Sequence, residues 1–133
     1  GYPRGEYYLP ERDDGTLICH YRHRVHGDYF LWPGLQDITA SVDFTALAEA
    51  GVSAGFVLAG YCSQASFLLG NGLAGYIAEY DRGADDIARY REGQHIKKLM
   101  LPGEMGERFQ VMGFSKNTDF APAFTNADLS YRL

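Results

Sequence analysis

The apolar positions of the chain change their spacing several times, and each change marks an element. Residues 1–15 mix Tyr2, Tyr7 and Tyr8 with two prolines and close on Asp13-Asp14-Gly15, loop composition ending in an Asp-Gly turn signal. Thr16 to Val25 reads as one extended segment, with Leu17, Ile18, Cys19 and Tyr21 interleaved by His and Arg. Gly27 to Gly34 is a second loop whose Tyr29, Phe30, Leu31 and Trp32 are too apolar to face water without a partner surface. Pro33-Gly34 signals a type II turn, and the β-branched Ile38 and Val42 predict a short extended run after it.

From Asp43 the period lengthens. Phe44, Leu47, Ala48 and Ala54 fall near helical spacing, with Asp43 placed to accept from the first free N–H groups and Gly51 or Gly55 available as a stop. Phe56 to Cys62 is a short apolar run, predicted as a strand buried on both faces. Ser63 can cap a helix carrying Phe67, Leu68 and Leu69, which Gly70-Asn71-Gly72 breaks. Leu73 to Tyr80 predicts another short helix and Asp85 to Leu99 a longer one, through Ile87, Ala88, Tyr90, Ile96 and Leu99. Phe109 to Phe114 alternates into a final strand, and residues 117–133 are weakly patterned.

Composition narrows the class of protein. With 133 residues, 46% hydrophobic, 22% charged and 14% aromatic, the chain suits one globular domain or part of one, and disorder is excluded for most of it. A net charge of −5 argues against wholesale nucleic-acid binding, although Arg4, Arg12, Arg22 and Arg24 make the first 25 residues locally basic. Cys19 and Cys62 are too few for a disulfide scaffold, and no apolar run has the length of a membrane span. These features suit a cytoplasmic protein, or a mitochondrial one in a eukaryote. Gly1-Tyr2-Pro3 reads as the exit from a strand, so the chain is expected to be a fragment of a longer polypeptide.

Candidate chemistry concentrates between residues 20 and 43. His20, His23 and His26 recur every third residue, with Asp28 nearby. On a continuous strand His20 and His26 would share one face and His23 the other, so a metal site would need a turn between them, and none is expected. Asp37 lies beside a turn, and Asp43 has a capping role. Neither cysteine carries a nucleophile signature, and Gly103-Glu104-Met105-Gly106-Glu107 lacks the lysine and glycine spacing of a phosphate loop.

Three stretches, in order, carry a family resemblance: His20-Tyr21-Arg22-His23-Arg24-Val25-His26, then Pro33 to Phe44, then Leu101-Pro102-Gly103-Glu104-Met105-Gly106-Glu107-Arg108-Phe109. From about Gly1 to about Ser115 the chain resembles the C-terminal half of MidA-type S-adenosylmethionine-dependent methyltransferases. That family includes a mitochondrial complex I assembly factor that methylates a protein arginine. The resemblance implies an α/β architecture: the C-terminal portion of a class I (Rossmann-like) methyltransferase fold, with a helical insert and a terminal antiparallel strand. It implies one partial domain, with a loop and ribbon segment at 1–42, an α/β part at 43–115 and a tail at 116–133. The cofactor, S-adenosyl-L-methionine, would be held by the preceding half. In an open α/β sheet ligands bind outside the carboxyl ends of the strands, so the segment from His20 to Asp43 is expected to face the acceptor, a protein side chain such as arginine. His23, His26 and Asp37 are the candidates to orient or deprotonate it, and Tyr29, Phe30 and Trp32 to exclude water. The alternative is a non-enzymatic interaction or assembly-factor module using the aromatic and basic residues of 1–32. A strand at 56–62 with an open edge would also favour a homodimer. No membrane or nucleic-acid partner is expected.

Overall fold

A computed structural model describes residues 1–12 and 15–133. The Asp13-Asp14 part of the first turn signal lies outside these residues. The chain divides into two compact units, Gly1–Glu49 with Leu133, and Ala50–Arg132. Among the described residues no helix is long and apolar enough to cross a membrane.

In the first unit the expected opening loop holds a short helix, α1 (Arg4–Tyr7), and a 3-10 turn at Pro10–Arg12. Tyr2 forms a parallel bridge to Asp43: its N–H donates to the Val42 carbonyl at 2.8 Å and its carbonyl accepts from the Phe44 N–H at 3.0 Å. The Arg4 N–H reaches Thr45 Oγ1 at 2.8 Å, and the Arg4 guanidinium grips the Glu49 carboxylate through two bonds, the longer at 2.9 Å. The segment predicted as one strand from Thr16 to Val25 is instead a hairpin. β1 (Ile18–Tyr21) turns at Arg22-His23 into β2 (Arg24–His26), and β3 (Asp37–Thr39) pairs on the other side of β1, all antiparallel in the order β2-β1-β3. Cys19 at the sheet's centre is fully buried.

Helix α2 (Phe44–Ser53) starts as its sequence predicts, with the Asp43 carboxylate accepting from the Ala46 N–H at 2.9 Å. Its end is set by Gly55, at φ +82°. The Phe56 N–H bonds the Gly51 carbonyl and the Gly55 N–H bonds the Val52 carbonyl, the paired bonds of a Schellman stop. Gly51 stays inside the helix for a steric reason: a Cβ there would sit 2.4 Å from the Phe114 ring.

The second unit is built on an antiparallel pair, β4 (Val57–Ser63) and β5 (Gln110–Ser115). Three helices join them: α3 (Gln64–Gly70), capped by Ser63 Oγ accepting from the Ser66 N–H, α4 (Leu73–Gly83), and α5 (Asp86–Met100), capped by Asp85. The α3–α4 break falls at Asn71-Gly72, where Gly72 takes φ +92°. Gly106 is buried against the end of α5, and a Cβ there would meet the Met100 carbonyl oxygen at 2.0 Å, so this glycine admits a close backbone approach.

The weakly patterned tail supplies the centre of this core. A 3-10 turn at Ala121–Phe124 delivers Phe124, 2% exposed, onto Ala59 and Cys62, with Phe67, Val111 and Ala123 around it. Gly60 and Gly113 are register partners, and a Cβ on either would strike the Phe124 side chain, at 2.3 Å and 2.5 Å. The strand pair is therefore bare where the ring lies flat on it. The tail also occupies part of the outer edge of β4: the Tyr61 N–H donates to Asp128 Oδ1 at 3.1 Å, and the Leu129 N–H donates to the Tyr61 carbonyl at 2.7 Å. That edge is less open at Tyr61 than the apolar run alone suggests.

Candidate functional site

The candidate site lies on the three-stranded sheet of the first unit and on the loop joining β2 to β3. A two-residue hairpin needs positive φ at both central positions, usually supplied by Asn-Gly. Here Arg22 and His23 supply it at φ +45° and +64°, a conformation that costs L residues free energy. The missing Asn-Gly signal is why the turn is invisible in the pattern. Its consequence is a reversal of faces.

Cross-strand partners share a face, and neighbours along a strand alternate. One row across the sheet is His26, Cys19 and Ile38; the next is Val25, His20 and Asp37. His20 and His26 thus point to opposite faces, contrary to the expectation from a continuous strand. Of the three predicted site residues, His23 stands exposed at the hairpin tip, His26 lies on the Cys19 face, and Asp37 lies on the other face beside His20. The sheet does not bring them together. Among the described residues no three His, Cys, Asp or Glu side chains converge as metal ligands.

What the fold does assemble is a group around His26. The Trp32 ring stands edge-on to the His26 ring at 5.8 Å and lies tilted against Tyr21 at 4.5 Å. Both His26 ring nitrogens are buried and have no hydrogen-bond partner. Gln36 ends the loop, just before β3. Its Nε2 donates to the Tyr29 carbonyl at 2.9 Å and more weakly to the Asp28 carbonyl at 3.5 Å, while its Oε1 is buried and unpartnered. Asp28 closes the loop's first turn by accepting from the Phe30 N–H at 3.2 Å. Gln36 and Tyr21 carried no signal in the sequence, because their roles depend on a fold-back that local spacing does not encode. Other apolar side chains of the loop face outward: Phe30 is 83% exposed and Leu35 is 68% exposed.

A separate recess of about 330 Å³ is lined by Tyr7, Tyr8, Leu9, Pro10, Arg12, Gly15 and Thr16. Its Arg12 guanidinium stacks 3.7 Å over the Tyr2 ring and also donates to the Glu6 carbonyl, so that cation is already engaged.

Comparison with known proteins adds to this geometry. Residues 1–62 match a protein family described as "Putative S-adenosyl-L-methionine-dependent methyltransferase". The whole chain superposes on a crystal structure of an uncharacterized superfamily protein from Burkholderia thailandensis, with 50% identity and a TM-score of 0.91, covering 36% of that protein. It also superposes on a member of the same superfamily from that organism, solved bound to S-adenosyl-homocysteine, with 49% identity and a TM-score of 0.85, covering 34% of that protein. The chain therefore spans about a third of the length of these two solved proteins. No curated protein matches it. The chain, of mixed α/β structure, is thus similar to an S-adenosylmethionine-dependent methyltransferase family over residues 1–62 and to these two solved proteins over its whole length.

Proposed function

We propose that this chain is the C-terminal part of a MidA-type methyltransferase of class I fold, contributing the acceptor side of its active site. The observation that carries the reading is the likeness over the full chain, at 49% identity, to the protein solved with S-adenosyl-homocysteine. S-adenosyl-L-methionine, where bound, supplies an activated methyl group. Among the described residues no glycine-rich turn follows a strand, the feature that holds such a cofactor in an open α/β sheet. We therefore assign the cofactor to another part of the longer polypeptide and give this chain the acceptor.

A nitrogen acceptor must lose a proton to take a methyl group, and a neutral imidazole or a carboxylate within hydrogen-bond reach serves that need. His26 and Asp37 lie on opposite sheet faces, so one of them, and not both, orients a given acceptor. His26 has the Trp32 ring against it to keep water away, and Asp37 has His20 beside it. The acceptor class that suits this site is a protein side chain such as arginine. The exposed Phe30 and Leu35 favour a partner protein on the loop surface, which is also what a non-enzymatic assembly module would present.

The test is methyl transfer from radiolabelled S-adenosyl-L-methionine into cell-extract proteins by the full-length polypeptide. His26→Ala, Asp37→Asn and His23→Ala are compared. Loss of about 100-fold or more in one of the first two variants, with unchanged cofactor affinity and melting temperature, identifies the acceptor-orienting group. Full activity in all three variants refutes the acceptor role of these residues.

A further inference from the structure

We propose that the loop from Gly27 to Gln36 is a hinged lid, latched by Trp32, whose opening uncovers the His26 imidazole as a binding group. The inference stands whether or not the chain serves methyl transfer, because it rests on the packing of this loop alone.

Three observations converge on it. First, the cover is made at the cost of hydrogen bonds. His26 Nδ1 and Nε2 and Gln36 Oε1 are buried without partners, and buried polar groups in folded proteins are normally satisfied. Opening would return the two His26 nitrogens to water or deliver them to a ligand. Second, the backbone at the latch is held in a disfavoured conformation: Trp32 sits at φ +52°, where a bulky side chain is an outlier that its surroundings must enforce. Third, the hydrogen bonds found for residues 28–36 stay within the loop. The Phe30 N–H bonds Asp28, the Leu31 N–H bonds the Asp28 carbonyl, the Leu35 N–H bonds the Trp32 carbonyl, and Gln36 Nε2 bonds the Tyr29 and Asp28 carbonyls. The ring contacts of Trp32 with Tyr21 and His26 tie this self-bonded piece to the sheet. Such a loop can swing as one body without breaking sheet hydrogen bonds. Gly27 can serve as a hinge, since even an added Cβ there would meet nothing within 4 Å.

The uncovered group has a defined chemistry. A neutral imidazole offers one donor and one acceptor, and Tyr21 lies on the same face of the sheet. A flat group bearing an N–H donor and an acceptor complements this set.

The experiment is residue-resolved labelling of the four histidines with diethyl pyrocarbonate, read by peptide mass spectrometry across a urea series below the unfolding transition. His20, His23 and His95 are exposed and serve as internal references. The lid predicts that His26 is labelled at least about tenfold more slowly than His23, at a rate nearly independent of urea, as local opening requires. Trp32→Ala should raise the His26 rate to that of His23. Labelling of wild-type His26 as fast as His23 would show that nothing covers it. Labelling that tracks global unfolding with urea would show a static cover. A His26 rate unchanged in Trp32→Ala would remove Trp32 as the latch. Should Trp32→Ala fail to fold, the urea dependence of the wild type still decides between lid and static cover.

Discussion

Shortening Phe124 should make room for a side chain at Gly113 but not at Gly60, although both glycines lie under the same ring. At Gly113 the positions an added Cβ would strike are Phe124 Cε2 and Cζ, at 2.5 and 2.7 Å, with Phe120 Cε1 at 3.0 Å. At Gly60 they are Phe124 Cγ, Cβ and Cδ1, at 2.3, 2.5 and 2.8 Å. Phe124→Leu removes the far end of the ring and keeps a branched carbon near its root. Three buried carbons are lost, roughly 2 kcal/mol at ~0.8 kcal/mol each. Gly113→Ala or Gly60→Ala in the wild-type background overpacks the strand pair, at about 1–3 kcal/mol. In the Phe124→Leu background, Gly113→Ala should become nearly neutral, a coupling of at least ~1 kcal/mol, whereas Gly60→Ala should keep its full cost. Urea unfolding followed by circular dichroism on the three single and two double variants and the wild type supplies the free energies. Equal coupling at the two glycines, or none at either, would refute the placement of Phe124 across the β4–β5 pair.

Other consequences are as specific. Burial opposes ionisation of Asp128, but hydrogen bonds from the Tyr61 N–H and from the Ser130 hydroxyl and N–H outweigh it and hold the carboxyl below its ordinary 3.8. Its contribution is therefore present above pH 3.8 and lost as the pH falls through the lower folded value, so Asp128→Asn should flatten the acid limb of stability against pH. A limb identical to the wild type in acid titration would contradict the tail's grip on Tyr61. Burial, then the nearby Asp128 charge, pushes the Cys62 thiol up, so Cys62 should resist iodoacetamide in the native state and react on unfolding. Rapid native alkylation of Cys62 would argue for an exposed thiol. Asp43→Ala and Asp85→Ala each remove an N-cap and should cost about 1 kcal/mol in chemical denaturation, and an unchanged midpoint in both would contradict the caps.

Much of this fold was legible because its signals are local. Asp43 and Ser63 each stand before an apolar period of helical length, and each accepts the N–H its position predicts. Gly55 ends α2 as a glycine with positive φ should. What escaped was set by contacts between distant residues. The hairpin at Arg22-His23 uses residues that seldom take a left-handed conformation, so the histidines read as one strand and were assigned to the wrong faces. Phe124 sits in a stretch with no period, and its importance shows only through Gly60 and Gly113, 64 and 11 residues away. Gln36 is ordinary in sequence and becomes distinctive only when its amide oxygen is buried beneath the loop.

The central claim is that this chain supplies the acceptor side of a methyltransferase whose cofactor is held elsewhere in the polypeptide. Titration calorimetry with S-adenosyl-homocysteine tests it most directly, run on the full-length polypeptide and on the 133-residue chain alone. The account predicts one-to-one binding by the full-length protein and no measurable heat from the chain by itself. Micromolar binding by the isolated chain, or no binding by the full-length protein, would contradict it.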